Sequence, residues 1–246
     1  MHINESGAGA GGFHTTRWSL LSQLRGSFSD GQQDALAELC QNYWPPLYGF
    51  ARRQGRDSED AKDFVQGFFA VLLEKGYLAN ADAEKGRFRT FLLTAFKRYL
   101  INEHKRENAV KRGGGCAVIS LDDPDAERRC EGELADNGTL SADVAYDRGW
   151  AQAILGRVIG RLSDEFNEAD KLQRFEHLKG FLIAGGGASY SDVARDLGMS
   201  EPAVKSAICR MRERFRQLFR IEIENTVADP REVDDEIRYL SGVLAH

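Results

Sequence analysis

The sequence contains no apolar run of more than a few residues, which excludes a membrane span. Its N-terminus lacks the apolar core of a secretory signal peptide, so a cytoplasmic protein is expected. The four cysteines, Cys40, Cys116, Cys130 and Cys209, form no CxxC pair and have no histidine at zinc-ligand spacing. They read as free thiols in a reducing compartment, and no metal is expected. The triplets Gly113-Gly114-Gly115 and Gly185-Gly186-Gly187 lack the Lys-Ser/Thr of a phosphate-binding loop and read as hinges. No acidic pair stands with a histidine and a Gly-rich loop in a catalytic arrangement, so neither an enzyme nor a cofactor is expected. No stretch alternates long enough to make a convincing strand, and no internal repeat is visible. What remains, 42% hydrophobic and 29% charged over 246 residues, is the composition of a soluble globular chain with one or two domains.

An excess of positive charge is also missing, since the formal net charge is −5. The charge is not evenly spread. Lys85 to Arg112 carries nine Lys/Arg against two Glu. Gly113 to Gly149 reverses this with nine Asp/Glu against three Arg, and Ile221 to His246 has seven acids against two Arg. Ala203 to Arg220 is basic again, with six Lys/Arg against Glu213 alone. Two cationic blocks divided by an acidic one suit two separate contacts with a polyanion.

Along the chain, residues 1–14 are Gly/Ala-rich and aperiodic, a disordered leader. A first domain, residues 15–112, begins with Trp18, Leu21 and Leu24 on one helical face. Its next helix, Asp34 to Arg53, is expected to break or kink at Pro45-Pro46. A helix from Asp57 or Ser58 carries the stripe Phe64, Val65, Phe68, Phe69 and Leu72, with Asp60, Asp63 and Gln66 on its polar edge. After a loop from Gly76 to Gly86, a helix from Arg87 to Glu103 combines Phe88, Phe91, Phe96 and Tyr99 with Arg87, Arg89, Lys97 and Arg98. Residues 113–149 are acidic and turn-prone, an interdomain linker. A second domain, residues 150–223, opens with helices at Trp150 to Leu162 and Leu172 to Ile183, and residues 224–246 form an acidic extension. The fold class is all-α, two helical domains joined by a flexible acidic linker, the second carrying a helix-turn-helix.

That motif lies in Ser189 to Phe219. Ser189 with Asp192 forms a capping-box-like start, and Val193, Ala194 and Leu197 share an apolar face. Gly198 ends the first helix, and Ser200, followed by Glu201 and Pro202, starts the second. Val204, Ile208, Met211 and Phe215 form its buried face, which leaves Ser206, Cys209 and Arg210 opposite, with Lys205 and Arg212 at the flanks. A capped cationic helix after a tight turn fits the DNA major groove.

Three motifs then stand in a telling order: Asp60-Ala61-Lys62-Asp63-Phe64-Val65-Gln66, Phe88-Arg89-Thr90-Phe91-Leu92 with Lys97-Arg98, and Gly198-Met199-Ser200-Glu201 followed by Val204-Lys205-Ser206. In these the chain resembles the extracytoplasmic-function (ECF) group of bacterial RNA polymerase sigma factors, from about Thr16 to Arg220. The resemblance implies that Asp60, Asp63 and Gln66 dock on the RNA polymerase core. It implies that Arg87, Arg89, Lys97 and Arg98 hold the melted minus-ten strand, and that the Gly76–Gly86 loop captures a flipped base. Lys205, Ser206, Cys209, Arg210 and Arg212 would meet the minus-thirty-five element of promoter DNA. An anti-sigma factor or a protein kinase is the kind of regulator it implies. Gly67 departs from the usual Glu of the group, and Ala207 and Cys209 from a frequent Arg and His. The alternative reading is a free-standing helix-turn-helix regulator that binds operator DNA as a dimer. The extension lies outside the resemblance. Val233, Ile237, Leu240 and Leu244 make it an amphipathic helix, which reads equally as a stabilising cap or as a tail that lies near the basic reading face and lowers DNA affinity until a partner displaces it.

Overall fold

The computed structural model describes residues 30–74, 86–110, 141–182 and 189–245. All regular elements among the described residues are helical: α1 (Asp30–Arg53), α2 (Ser58–Glu74), α3 (Phe88–Val110), α4 (Ala142–Glu168), α5 (Leu172–Leu178), α6 (Tyr190–Asp196), α7 (Glu201–Glu224) and α8 (Val233–Ala245). Short 3-10 turns at Lys179–Phe181 and Pro230–Glu232 complete the set. The expected leader, the helix around Trp18, the Gly76–Gly86 loop except its last residue, most of the acidic linker, and the triplet at 185–187 lie outside the described residues.

Helix α1 runs through Pro45 and Pro46 without interruption, where a break or kink was expected. Tertiary packing overrides the lost backbone bonds. Tyr43 stacks on Trp150 of α4 at 4.6 Å between ring centroids, and Trp44 stacks on Tyr48 at 4.7 Å. The two helices come very close at Pro46, where a Cβ on Gly149 would stand 3.1 Å from the Pro46 Cα. A side chain there would require the helices to give by a few tenths of an ångström.

Helices α2 and α3 close the first half around an aromatic centre. Asp57 starts α2, its Oδ1 accepting the Asp60 N–H at 2.9 Å. Phe68 meets Phe96 edge-on at 5.1 Å and Tyr99 at 5.8 Å, and Phe50 meets Phe96 at 6.0 Å.

Helix α4 is the central element, packing on α1, α7 and α8. Ser141 caps it, its hydroxyl accepting the Val144 N–H. It therefore starts eight residues before Trp150, the position expected from sequence, so Asp143 and Asp147 belong to a helix and not to a connector. Tyr146, Trp150, Ile154, Val158 and Leu162, each four residues apart, form one buried face. Each such side chain contributes roughly 1.5–3 kcal/mol of burial, so apolar packing fixes α4 and polar groups refine its orientation. Among these, buried Glu222 of α7 receives Arg157 at 3.1 Å and Arg161 at 2.9 Å.

Helix α8 has the amphipathic form expected of it. Val233 and Leu240 are buried, and Ile237 and Leu244 pack against the core. Its position differs from expectation. It lies on α4 and the C-terminal end of α7, where Arg220 meets it through Asp234. The reason is that the stripe needs an apolar partner, which α4 supplies and the cationic face of α7 does not.

Candidate nucleic-acid interface

Local chemistry builds the first surface. Ser189 caps α6 by accepting the Asp192 N–H at 3.1 Å, and its hydroxyl donates to the Asp192 carboxylate at 2.7 Å. Gly198 takes φ +61°, a left-handed conformation that costs glycine nothing. Ser200 then accepts the Ala203 N–H and starts α7 with Glu201 and Pro202 in its first turn. Val204, Ala207, Ile208 and Met211 face inward.

This leaves Lys205, Ser206, Cys209, Arg210 and Arg212 exposed along one helix. Lys205 Nζ lies 5.2 Å over the Tyr190 ring, which steadies a long side chain through its cationic head. Arg210 donates to Ser206 at 3.3 Å. Arg212 is tied down more firmly, giving two hydrogen bonds to the Phe181 carbonyl at 3.0 and 2.8 Å. Cys209 is a free, exposed thiol.

A basic hollow of about 250 Å³ adjoins this face, lined by Phe166, Lys171, Arg174, Ala207, Arg210, Met211 and Arg214. Lys171 and Arg174 were not among the residues picked from sequence. They reach Arg210 only through the packing of α5 beside α7, and the only signal in the chain was two cations three residues apart. Arg214 is already paired, its guanidinium on Glu165 at 2.6 and 2.8 Å. That hydrogen bond holds the Glu165 carboxyl below its ordinary range, more than its slight burial raises it.

The basic residues of α3 divide. Lys97, half-buried, bonds Asp143 of α4 at 2.7 Å and lies 5.4 Å over the Phe50 ring. Arg98 is exposed. Arg89 is a correction to the expected cationic strand surface: it is 9% exposed and faces inward. Its Nε lies 2.6 Å from Glu236 Oε1 and its Nη1 2.6 Å from Asp147 Oδ1. Its guanidinium also lies 4.5 Å over the Tyr239 ring. Burial opposes its charge, but the hydrogen bond to Glu236 and the fields of Asp147 and Glu236 outweigh that and keep it cationic. Arg87 joins the same cluster, 2.9 Å from Glu236 and 3.6 Å from Glu232. No sequence signal pairs residue 89 with residue 236, because the contact depends on where α8 docks.

On α2, Asp60 and Asp63 are exposed as expected. Gln66 is not, at 8% exposure. It sits between the neighbours Val65 and Phe68 that face the core, so the presented edge is narrower than the sequence indicated. Among the described residues no group of His, Cys, Asp and Glu is placed to hold a metal, and no helix is long and apolar enough to cross a membrane.

No curated protein and no solved structure matches the chain. The family model described as ECF sigma factor matches residues 19–220, a span that takes in α1 to α7 up to Arg220 and leaves α8 outside. The chain belongs to the ECF sigma factor family and directs transcription initiation with RNA polymerase.

Proposed function

We propose that α7 reads the minus-thirty-five element through Ser206, Cys209 and Arg210, with Lys205 and Arg212 on the flanking phosphates. The observation that carries this is the line of five exposed polar residues beside the Gly198 turn on a helix capped by Ser200. Phosphate contacts position such a helix and base-edge contacts give it sequence preference. Lys171 and Arg174, which share a hollow with Arg210, extend the path of the DNA backbone.

Lys97 and Arg98, with Arg87 and Arg89 once uncovered, hold the melted minus-ten strand by phosphate contacts. Asp60 and Asp63 of α2 dock on a basic surface of the polymerase core, and Gln66 plays at most a supporting part from within the helix. The division of labour follows residues 15–112 and 150–223. The protein works in the cytoplasm without catalysis of its own, and an anti-sigma factor or a protein kinase governs it.

Transcription in vitro tests this. Purified protein and bacterial core polymerase are given a genomic fragment library, and transcript start sites are mapped. The expected result is a subset of promoters sharing two elements, with preference at the upstream one changed by Arg210→Ala. Unchanged preference in that variant, with its transcription otherwise intact, removes α7 from the reading role.

A further inference from the structure

We propose that helix α8 is an intramolecular phosphate mimic: its carboxylates occupy Arg87 and Arg89 and compete with nucleic acid for them. The inference rests on the strand-holding reading of α3 and adds a regulator that the chain itself carries. The family match ends at residue 220, so it assigns nothing to this segment.

The geometry is that of a substituted ligand. Glu236, 1% exposed, presents one oxygen to Arg89 Nε at 2.6 Å and the other to Arg87 Nη1 at 2.9 Å. Glu232, one helical turn earlier, lies 3.6 Å from Arg87. One buried carboxylate thus bridges two arginines, as the oxygens of a phosphate could, and Glu232 adds a second contact to Arg87. Tyr239 covers the Arg89 guanidinium with its ring and donates its hydroxyl to Asp147. In the link between α7 and α8, the Thr226 carbonyl accepts the Phe88 N–H at 2.9 Å. Asp234 meanwhile engages Arg220 of α7.

The chemistry makes this contact exchangeable. Removing one partner of a buried ion pair ordinarily strands a charge in an apolar medium, which is costly. Here α8 supplies one of the two carboxylates on Arg89, Asp147 of α4 being the other, and α8 also covers the guanidinium with Tyr239. When α8 leaves, Arg89 reaches water, and a strand phosphate can take over the charged hydrogen bonds that the carboxylate made. The gain and the loss are of one kind, so a modest increment from a partner or from promoter DNA decides the outcome. What α8 loses on leaving is the burial of Val233 and Leu240.

The test uses the full chain, the variant Glu236→Gln with Tyr239→Phe, which keeps the apolar stripe, and a chain ending at Asp229. Binding of a fluorescent, mixed-sequence single-stranded oligonucleotide is read by anisotropy. Hydrogen exchange along α8 reports release of the tail in the full-length variant, and cooperative unfolding reports the fold. Both altered proteins are expected to bind about tenfold tighter, and the full-length variant to lose protection along α8. Unchanged affinity in either protein, when it still unfolds cooperatively, overturns the proposal. So does loss of cooperative unfolding in both, since α8 would then be part of the fold alone. Lys97→Ala with Arg98→Ala separates this from the parent reading. If that pair weakens strand binding while tail release changes nothing, only the mimic is wrong. If the pair has no effect on strand binding, the strand-holding role of α3 is wrong and the mimic falls with it.

Discussion

The hydroxyl of Tyr99 on α3 sits over the bare Cα of Gly67 on α2, in the space a side chain at 67 would occupy. Gly67 is also a position at which the resemblance implies glutamate, and here Tyr99 fills the space that a side chain would take. A side chain there would push Tyr99, itself 7% exposed, off Phe68 and Phe96. Alanine in mid-helix ordinarily gains up to about 1 kcal/mol over glycine. Forcing a group into a packed site costs about 1–3 kcal/mol, so the clash wins. Gly67→Ala should lower stability in denaturant unfolding. In the background of Tyr99→Phe, which removes the obstructing oxygen and leaves Cζ at 3.4 Å, the same change should become neutral or favourable. An equal loss in both backgrounds would refute the assigned contact.

Charge reversal on the α2 edge separates docking from folding. Asp60 and Asp63 are exposed, and Asp60 lies in the first turn of α2. An acid there gains only about 0.3–1 kcal/mol from the helix dipole. Asp60→Lys with Asp63→Lys should therefore leave unfolding nearly unchanged. Against a basic partner the same change replaces attraction by repulsion, which costs several kcal/mol. Loss of co-purification with core polymerase is the expected outcome, and retention at wild-type yield would contradict the docking edge.

On α7 the two kinds of contact should separate by sequence dependence. Lys205→Ala removes a flanking charge, and binding should weaken by a similar factor on every promoter and depend less on salt. Arg210→Ala should cost on the order of 1–3 kcal/mol and relax preference at one upstream position. Arg212 is a poorer probe, because two of its donors hold the Phe181 carbonyl and its removal disturbs packing as well. Competition binding on a randomised duplex checks both variants, and uniform losses for the two would abolish the distinction.

Much of this arrangement was legible in the chain because local chemistry decides it. Ser189, Gly198 and Ser200 mark the ends of α6 and α7 by capping and by left-handed backbone, which depend on a few neighbouring residues. The apolar period predicted the buried faces of α2, α7 and α8 in the same way. Long-range relations were not legible. The path of α1 through Pro45-Pro46 depends on Gly149, a hundred residues away. Arg89 reads as a surface cation on its own helix, and it is buried because Asp147 and Glu236 arrive from two others. Acidic composition alone assigned residues 141–149 to a linker, whereas Tyr146 and Asp147 are buried within α4.

The last expectation concerns alkaline stability. The thiol of Cys40 lies in the α1 core, 3% exposed, and burial pushes its pKa from 9.0 to about 12. The thiol is neutral when protonated, so the sign follows directly. Below the unfolded value both states hold the proton, and Cys40 leaves stability independent of pH. Between about pH 9 and 12 the unfolded chain releases the proton while the folded one keeps it, so stability falls by at most about 1.4 kcal/mol per pH unit. Tyr146, fully enclosed, is raised above its ordinary 10.0 by burial and by the neighbouring Asp147 charge, and acts in the same direction from a higher onset. Cys40→Ala should therefore delay the decline to about pH 10 without altering the neutral plateau's slope. Denaturant midpoints measured from neutral pH to about pH 11 decide it. A decline that begins at the same pH in both proteins would mean that water reaches Cys40 and that the α1 core is looser than its packing indicates.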